Sequence, residues 1–466
     1  MVAPTESTAA EPGAAGTGVD TAPAAVETAA PAPTRRFGVL HEYDFRQLFF
    51  ADTVSQVGTQ VTQLALPLVA AIALKASPFE IGLLATCETL AFLLVGLPAG
   101  ALVDRMRRRS VLIFGDLGRA VLLGSIPLAW WYDKLTMAQL YVVGLLVSVM
   151  TVFFDVAYQS YLPHLVGREN LVDGNSKLEA VRGVSQIGGP TLAGWIISLL
   201  TAPYAILVDA VSFVGSAAFV GRIRKREAKP ERGPESHLGR EIAEGFNFVI
   251  HNRILRSIAA CTGSSNLFSS ITGAMFIFLL ARTLGLSAWV IGLVFSVSAI
   301  FGLLGAFAAT RFAKLVGQGP AIWMSIAFTS PFGLVAPLAQ RGWLLWAAAL
   351  ASGVYWFGAV VYNINQVSFR QGLTPDRLLG RMNATMRFLV WGTLPLGSFI
   401  GGILGENIGV RPAMWIGAIG GCLAFIPVLL SPLRTMKTLP TGTHDDEDPT
   451  TPPPTEDTPI ETPAVS

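Results

Sequence analysis

From about residue 48 to residue 431 the chain alternates long apolar runs with short polar interruptions. Roughly twelve runs approach the ~20 residues that a helix needs to cross a bilayer. They span 48–74, 79–103, 110–131, 136–160, 174–199, 203–222, 257–281, 288–310, 320–339, 343–364, 384–404 and 412–431. Gly and Pro occur inside them, as they do in membrane helices. The pattern predicts an all-α integral membrane protein with twelve transmembrane helices. Residues 1–36 and 438–466 lack such runs. Both are rich in Pro and Thr, and the second carries the acidic stretch Asp445, Asp446, Glu447, Asp448. Neither can bury a core, so both are expected to be disordered tails. The first has no apolar stretch before a cleavage site and is not expected to be a secretory signal.

Composition supports the class. Of 466 residues, 52% are hydrophobic and 14% charged, with a mean hydropathy of +0.53, which excludes an ordinary soluble domain. Cys87, Cys261 and Cys422 all lie in apolar runs, without disulfide or metal-ligand spacing. His41, His164, His237, His251 and His444 lie in tails or loops, and no nucleophile, base and phosphate loop come together. An enzyme is therefore not expected, nor a cofactor, a metal or a nucleic-acid partner. A membrane sensor or scaffold would not need acids within its membrane helices.

The net charge of +2 says little; its distribution says more. Alternate loops hold Arg105 to Arg109, then His164 and Arg168, the basic block at 222–232, Arg311 and Lys314, and Arg370, Arg377 and Arg381. The opposite loops hold only Lys75, Lys134, Arg282, Arg341 and Arg411. Positive-inside charge places both termini in the cytoplasm. The loop at 223–256 divides the chain into six-helix halves, 37–222 and 257–437. Within it Leu238, Ile242, Phe246 and Val249 fall at helical spacing. They predict an amphipathic helix that either lies on the membrane or packs on protein.

The halves repeat one another. Ser77-x-x-x-Ile81-Gly82-Leu83 recurs as Ser287-x-x-x-Ile291-Gly292-Leu293, an offset of 287 − 77 = 210. Asn175, Gly189 and Gly194 recur as Asn383, Gly397 and Gly402, an offset of 383 − 175 = 208. Parallel repeats of this kind place a substrate site between the halves near the midplane.

Residues 96–109 read Gly-Leu-Pro-Ala-Gly-Ala-Leu-Val-Asp-Arg-Met-Arg-Arg-Arg. This stretch resembles the loop between the second and third helices of the major facilitator superfamily, with Gly100, Asp104, Arg105, Arg108 and Arg109 matching and Arg107 standing where the family usually has a second Gly. The resemblance covers residues 42–435. It extends to a bacterial drug- and macrolide-efflux branch, to which siderophore exporters are similar, through Phe153-Phe-Asp-Val-Ala-Tyr-Gln-Ser-Tyr-Leu-Pro163, Glu244-Gly-Phe-Asn-Phe248, Gly380-Arg-Met-Asn-Ala-Thr385 and Pro395-Leu-Gly397. It implies the bacterial inner (plasma) membrane, two six-helix halves, and contacts of the second helix with the eleventh and the fifth with the eighth. Many members carry an acid just after the first-helix Gly; here Gly58 is followed by Thr59.

On that fold, two cytoplasmic latches are expected. The repeat mate of Asp104 is Lys314, and that of Asp173 is Arg381, with signs exchanged. Asp104 would pair with Arg381, and Asp173 with Lys314 or Arg311, unless these are solvated loop charges of little consequence. Deeper, Asp116, Arg119, Asp155, Glu179 and Arg182 are expected at one level of the inner half. Three acids face two arginines, so either one acid carries a proton, Asp155 or Glu179, or the group is a fully ionised structural network. Glu88 and Asp209 are weaker candidates for the same role. Gln56, Gln60 and Gln63 share one face of the first helix. With Tyr158, Gln159, Tyr355, Tyr362, Asn363, Asn365 and Gln366 they either line a substrate path or bond between helices. Gly188, Gly189, Pro190 and Gly194 are expected to break the fifth helix. They resemble the Gly-Pro motif of facilitator exporters. The sequence thus points to a monomeric, proton-coupled exporter of an amphipathic small molecule, in contact with membrane lipid. An importer or proton symporter on the same fold is the alternative.

Overall fold

The computed structural model describes residues 38–103, 105–167, 170–225, 227 and 238–437. Asp104, Arg168, both predicted tails and the middle of the 223–256 loop lie outside them. All regular structure among the described residues is helical. In the first half α1 (Tyr43–Leu68) runs into a π turn (Val69–Ala73) and is followed by α2 (Pro78–Leu94), α3 (Gly96–Val103), α4 (Arg108–Trp131), α5 (Met137–Val166), α6 (Leu171–Leu200) and α7 (Ala202–Gly221). After α8 (Leu238–His251), the second half begins with α9 (Arg253–Phe278), again ending in a π turn (Leu279–Thr283). It continues through α10 (Ala288–Val316), α11 (Gln318–Thr329) with a 3-10 turn (Ser330–Leu338), α12 (Trp343–Leu373), α13 (Asp376–Trp391), α14 (Thr393–Asn407), α15 (Val410–Leu423) and α16 (Ile426–Leu429).

Ten stretches among the described residues are long and apolar enough to cross a membrane. The predicted runs at 79–103 and 174–199 are helical but not among them. The first is divided between α2 and α3 at Val95, just before Gly96-Leu-Pro98. The second, in α6, is too polar because Asp173, Lys177, Glu179 and Arg182 occupy its first half. The expected break at Gly188, Gly189, Pro190 and Gly194 does not occur: α6 continues through Pro190 to Leu200. Proline removes one N–H donor, and a membrane helix packed on its neighbours tolerates that loss.

The repeat is visible in the backbone. The two π turns begin at Val69 and Leu279, an offset of 279 − 69 = 210. Each is followed by a residue in the left-handed region, Lys75 (φ 54°) and Gly285 (φ 57°), at the same offset, 285 − 75 = 210. Ser77 then starts α2 through a capping box, accepting from the Glu80 N–H while Glu80 accepts from the Ser77 N–H.

The halves meet chiefly through two helix pairs, α2 with α14 and α6 with α10. Glycines set both crossings. A Cβ on Gly82 would stand 2.4 Å from the Gly402 Cα, and one on Gly292 would stand 2.2 Å from the Pro190 carbonyl oxygen. Gly194 abuts the Ala288 carbonyl as closely, 2.4 Å. These are the repeat anchors read from the sequence, and they pair crosswise: Gly82 with Gly402, Gly292 with Gly194. Hydroxyls reinforce each crossing. Thr86 Oγ1 donates to the Pro395 carbonyl at 3.3 Å. Its repeat mate Ser296 lies 2.7 Å from Thr191 Oγ1. Phe79 and Phe399 meet edge to face, with centroids 6.0 Å apart.

The opposite end carries the arginines. Arg109 donates to the last carbonyls of α7, Val220 (3.3 Å) and Gly221 (2.5 Å), where a cation is favoured. Arg108 pairs with Glu227 at 3.4 Å. The second half makes the related join with backbone alone, Gln318 and Gly319 donating to the carbonyls of Lys437 and Met436. The predicted loop helix forms as α8 and packs on α13 and α9. Val249 is fully buried, and Glu244 pairs with Arg381 and, at 3.6 Å, with Arg377. Phe246, on the same helix, stays exposed.

Cysteines replacing Phe79 and Phe399 should cross-link efficiently. Adding Gly402→Val should reduce the yield at least about fivefold, because a branched side chain cannot enter the crossing. Gly273→Ala, whose Cβ meets nothing within 4 Å, should leave it unchanged.

Candidate functional site

The five charges expected at one level separate into two groups. Asp116 and Arg119 form a closed pair within the first half, Oδ1 to guanidinium nitrogen 2.6 Å, with both side chains buried. The Arg119 guanidinium lies between Phe154 and Phe213, 4.3 and 4.2 Å from their ring centroids. A cation so enclosed is held by its carboxylate and by aromatic faces. Asp209 is buried nearby on α7, accepting from Ser212 Oγ at 2.9 Å. Gly58 of α1 fits against that carboxylate: a Cβ there would stand 2.5 Å from Asp209 Oδ1.

The second group faces the junction of the halves. Asp155 on α5 lies 3.9 Å from Arg387 on α13, a residue of the other half, with side chains 38% and 31% exposed. Glu179 and Arg182 pair along α6 at 3.2 Å and are more exposed. Asp52 on α1 accepts from Gln56 Nε2 at 3.4 Å and lies within electrostatic range of Asp155, Glu179 and Arg182. Phe154, the ring over Arg119, stacks on Tyr158 at 6.0 Å and so joins the two groups. Arg387 also sits 4.9 Å from the Trp391 centroid and 5.8 Å from that of Phe92. Those two rings meet edge to face at 4.6 Å across the halves.

The expected substrate-path residues diverge. Gln60 packs against Gly189, and Gln63 and Gln159 are exposed. Tyr355 reaches the hydroxyls of Ser265 and Ser269 on α9. Tyr362 Oη lies 2.5 Å from Thr262 Oγ1. Asn365 is buried and donates to carbonyls of Val361 (2.8 Å) and, on α10, Ala309 (3.5 Å). The buried Gln366 donates to the exposed Asn363 at 3.0 Å. Tyr362 and Asn365, one turn apart on α12, therefore bond to two different helices, α9 and α10. Gln56 and Tyr158 stay beside the charged group.

Among the gating candidates, Gly100 has open space around it and Arg105 is exposed, while Arg108 and Arg109 hold the end of α7. Asp173 does not pair with Arg311 or Lys314. It pairs with Lys177 one turn along α6 and accepts the Val39 N–H at 2.9 Å. Arg311 and Lys314 are exposed at the end of α10. Arg381 pairs with Glu244; its expected partner Asp104 lies outside the described residues. Arg387 and Asp52 were not singled out by the sequence, although signals existed. Arg387 is the repeat mate of Glu179, 387 − 179 = 208, with the sign exchanged. Asp52 lies one turn before Gln56 on the polar face of α1.

Two repeated helical halves that close on each other at one end and present ionisable groups at their junction define a membrane transporter. The chain belongs to the major facilitator superfamily, whose family model matches residues 48–392. It is similar to the multidrug efflux pump Tap of Mycolicibacterium fortuitum, 28% identical over 78% of this chain and 90% of that protein. It is also similar to the enterobactin exporter EntS of Escherichia coli, 24% identical over 83% of this chain and 90% of that protein. Among solved structures, a bacterial homologue of the iron transporter ferroportin in an inward-facing state shares the fold, with a TM-score of 0.68 and 16% identity over 83% of this chain and 97% of that one.

Replacing Arg119 by Met should destabilise the protein by on the order of 3 kcal/mol, since it strands a buried carboxylate. Replacing the half-exposed Arg387 by Gln should cost much less. Thermal unfolding in detergent, followed for both variants, checks the contrast.

Proposed function

We propose that the protein is a proton-coupled exporter of an amphipathic small molecule, working as a monomer in the lipid of a bacterial inner membrane. It would cross that membrane twelve times, with both termini and the arginine-rich end in the cytoplasm. The halves would rock about the group at their junction. The observation that carries this reading is the charge of that group. Asp52, Asp155 and Glu179 stand against Arg182 and Arg387, so 3 − 2 = 1 acid is in excess when all are ionised. An acid in excess at a half-exposed site can be neutralised by a proton or by a cationic part of a substrate, and competition between the two is what antiport requires.

Asp155 is the preferred proton carrier. Glu179 has its arginine one turn away on its own helix, whereas Asp155 takes its arginine from the other half. The closed Asp116–Arg119 pair is structural. The expected latch of Asp173 with Lys314 or Arg311 belongs to the opposite conformation, in which the arginine-rich end closes. Similarity to an efflux pump and a siderophore exporter supports the outward direction and a drug, macrolide-like metabolite or siderophore as cargo.

A strain lacking the gene should retain within the cell a small molecule that a restored strain releases to the medium. Untargeted comparison of cell extract and medium identifies it. Restoration with Asp155→Asn should release it at least about tenfold more slowly. A compound consumed from the medium only on restoration would mean import instead.

A further inference from the structure

We propose that Arg387 is a positioning residue through which the charge on Asp155 sets which end of the transporter is open. The inference rests on the reading of Asp155 as proton carrier and adds the part that converts its protonation into movement.

Asp155 and Arg387 belong to different halves. Their 3.9 Å approach is an attraction between charges that is still too long for a good hydrogen bond, so it has room to shorten. Arg387 lies against Trp391 of its own half and Phe92 of the other. The guanidinium therefore sits on an aromatic contact that already bridges the halves. Along the chain, Arg387 is 402 − 387 = 15 residues from Gly402, roughly 20 Å of helix. The Gly82–Gly402 crossing and the Asp155–Arg387 contact thus act at separated points along the same pair of halves. An ionised Asp155 draws Arg387 in and pulls the arginine-rich end together, against the glycine crossings. A protonated Asp155 exerts no such pull, and the crossings hold the far end shut. Protonation then favours the arrangement seen in the structure, as antiport driven by inward proton flow requires.

Other charges face Asp155. Arg119, already engaged by Asp116, approaches from α4, Arg182, paired with Glu179, from α6, and Asp52 from α1. On α2, Glu88 lies beside Gly144, about three turns away along α5. α3 contributes no titratable group among its described residues. Arg119, Glu179, Arg182, Asp52 and Glu88 all belong to the first half and move with Asp155. Arg387 is the partner whose distance changes when the halves separate.

The test is a pulsed spin-label distance measurement between cysteines at 79 and 399, in protein lacking Cys87, Cys261 and Cys422. The closed-end population should fall at least about threefold between about pH 5.5 and about pH 8.5. Arg387→Gln should make it high and independent of pH, as should Asp155→Asn, while Arg387→Lys should restore the dependence. A wild-type profile in Arg387→Gln, or a flat profile in the wild type, would overturn the proposal. If Asp155→Asn abolishes export while Arg387→Gln keeps the wild-type profile, the coupling role fails and the proton-carrier reading stands. If Asp155→Asn exports normally, the proton-carrier reading itself fails.

Discussion

Close approach of helix backbones at four glycines holds the halves together at one end. Within a bilayer there is no hydrophobic force between helices, so association depends on packing and on the small residues that permit it. Gly82, Gly402, Gly194 and Gly292 bring α2 to α14 and α6 to α10 with no side chain between them. The contact is stable because its surfaces fit. It is separable because it contains few hydrogen bonds that must be broken: Thr86 to Pro395, the Phe79 N–H to Glu406, and the Thr191 N–H and hydroxyl with Ser296. That combination suits a seal that has to part.

Charge is divided according to the same geometry. Deep in the first half, Asp116 and Arg119 neutralise one another between two phenylalanine rings and act as a fixed strut. At the junction, Asp155, Asp52, Glu179, Arg182 and Arg387 are half-exposed or exposed and imperfectly matched. A pair buried among apolar groups is hard to rearrange, and an unmatched, half-exposed set is the one open to a proton or an ion. Both kinds of site occur within a few turns of α5, linked by Phe154 and Tyr158.

Much of this was legible in the sequence, for identifiable reasons. Apolar run length located the helices, and the 210 and 208 offsets located the residues of the two crossings before any contact was known. The family resemblance implied which helices would meet. What was not legible was direction around each helix. Depth along an axis can be counted at ~1.5 Å per residue, but a charge at the right depth can face its own bundle, as Arg119 does, or the other half, as Asp155 does. Counting therefore merged two groups into one and missed Arg387 and Asp52. It also left Asn365 and Tyr362 between a substrate path and bonds between helices, and their hydrogen bonds run to the flanking helices. Pro190 read as a break because its missing N–H is visible in the sequence, while the packing that carries α6 past it is not.

The most direct test of the two-ended account is hydrogen–deuterium exchange across the whole chain for the wild type and Gly292→Val. Spoiling one crossing should raise exchange at 78–86, 188–194, 288–296 and 395–405 together. It should also lower exchange at the arginine-rich end, at 105–110 and 370–381, because the halves move as bodies. Faster exchange confined to the neighbourhood of residue 292, with the arginine-rich end unchanged, would contradict it.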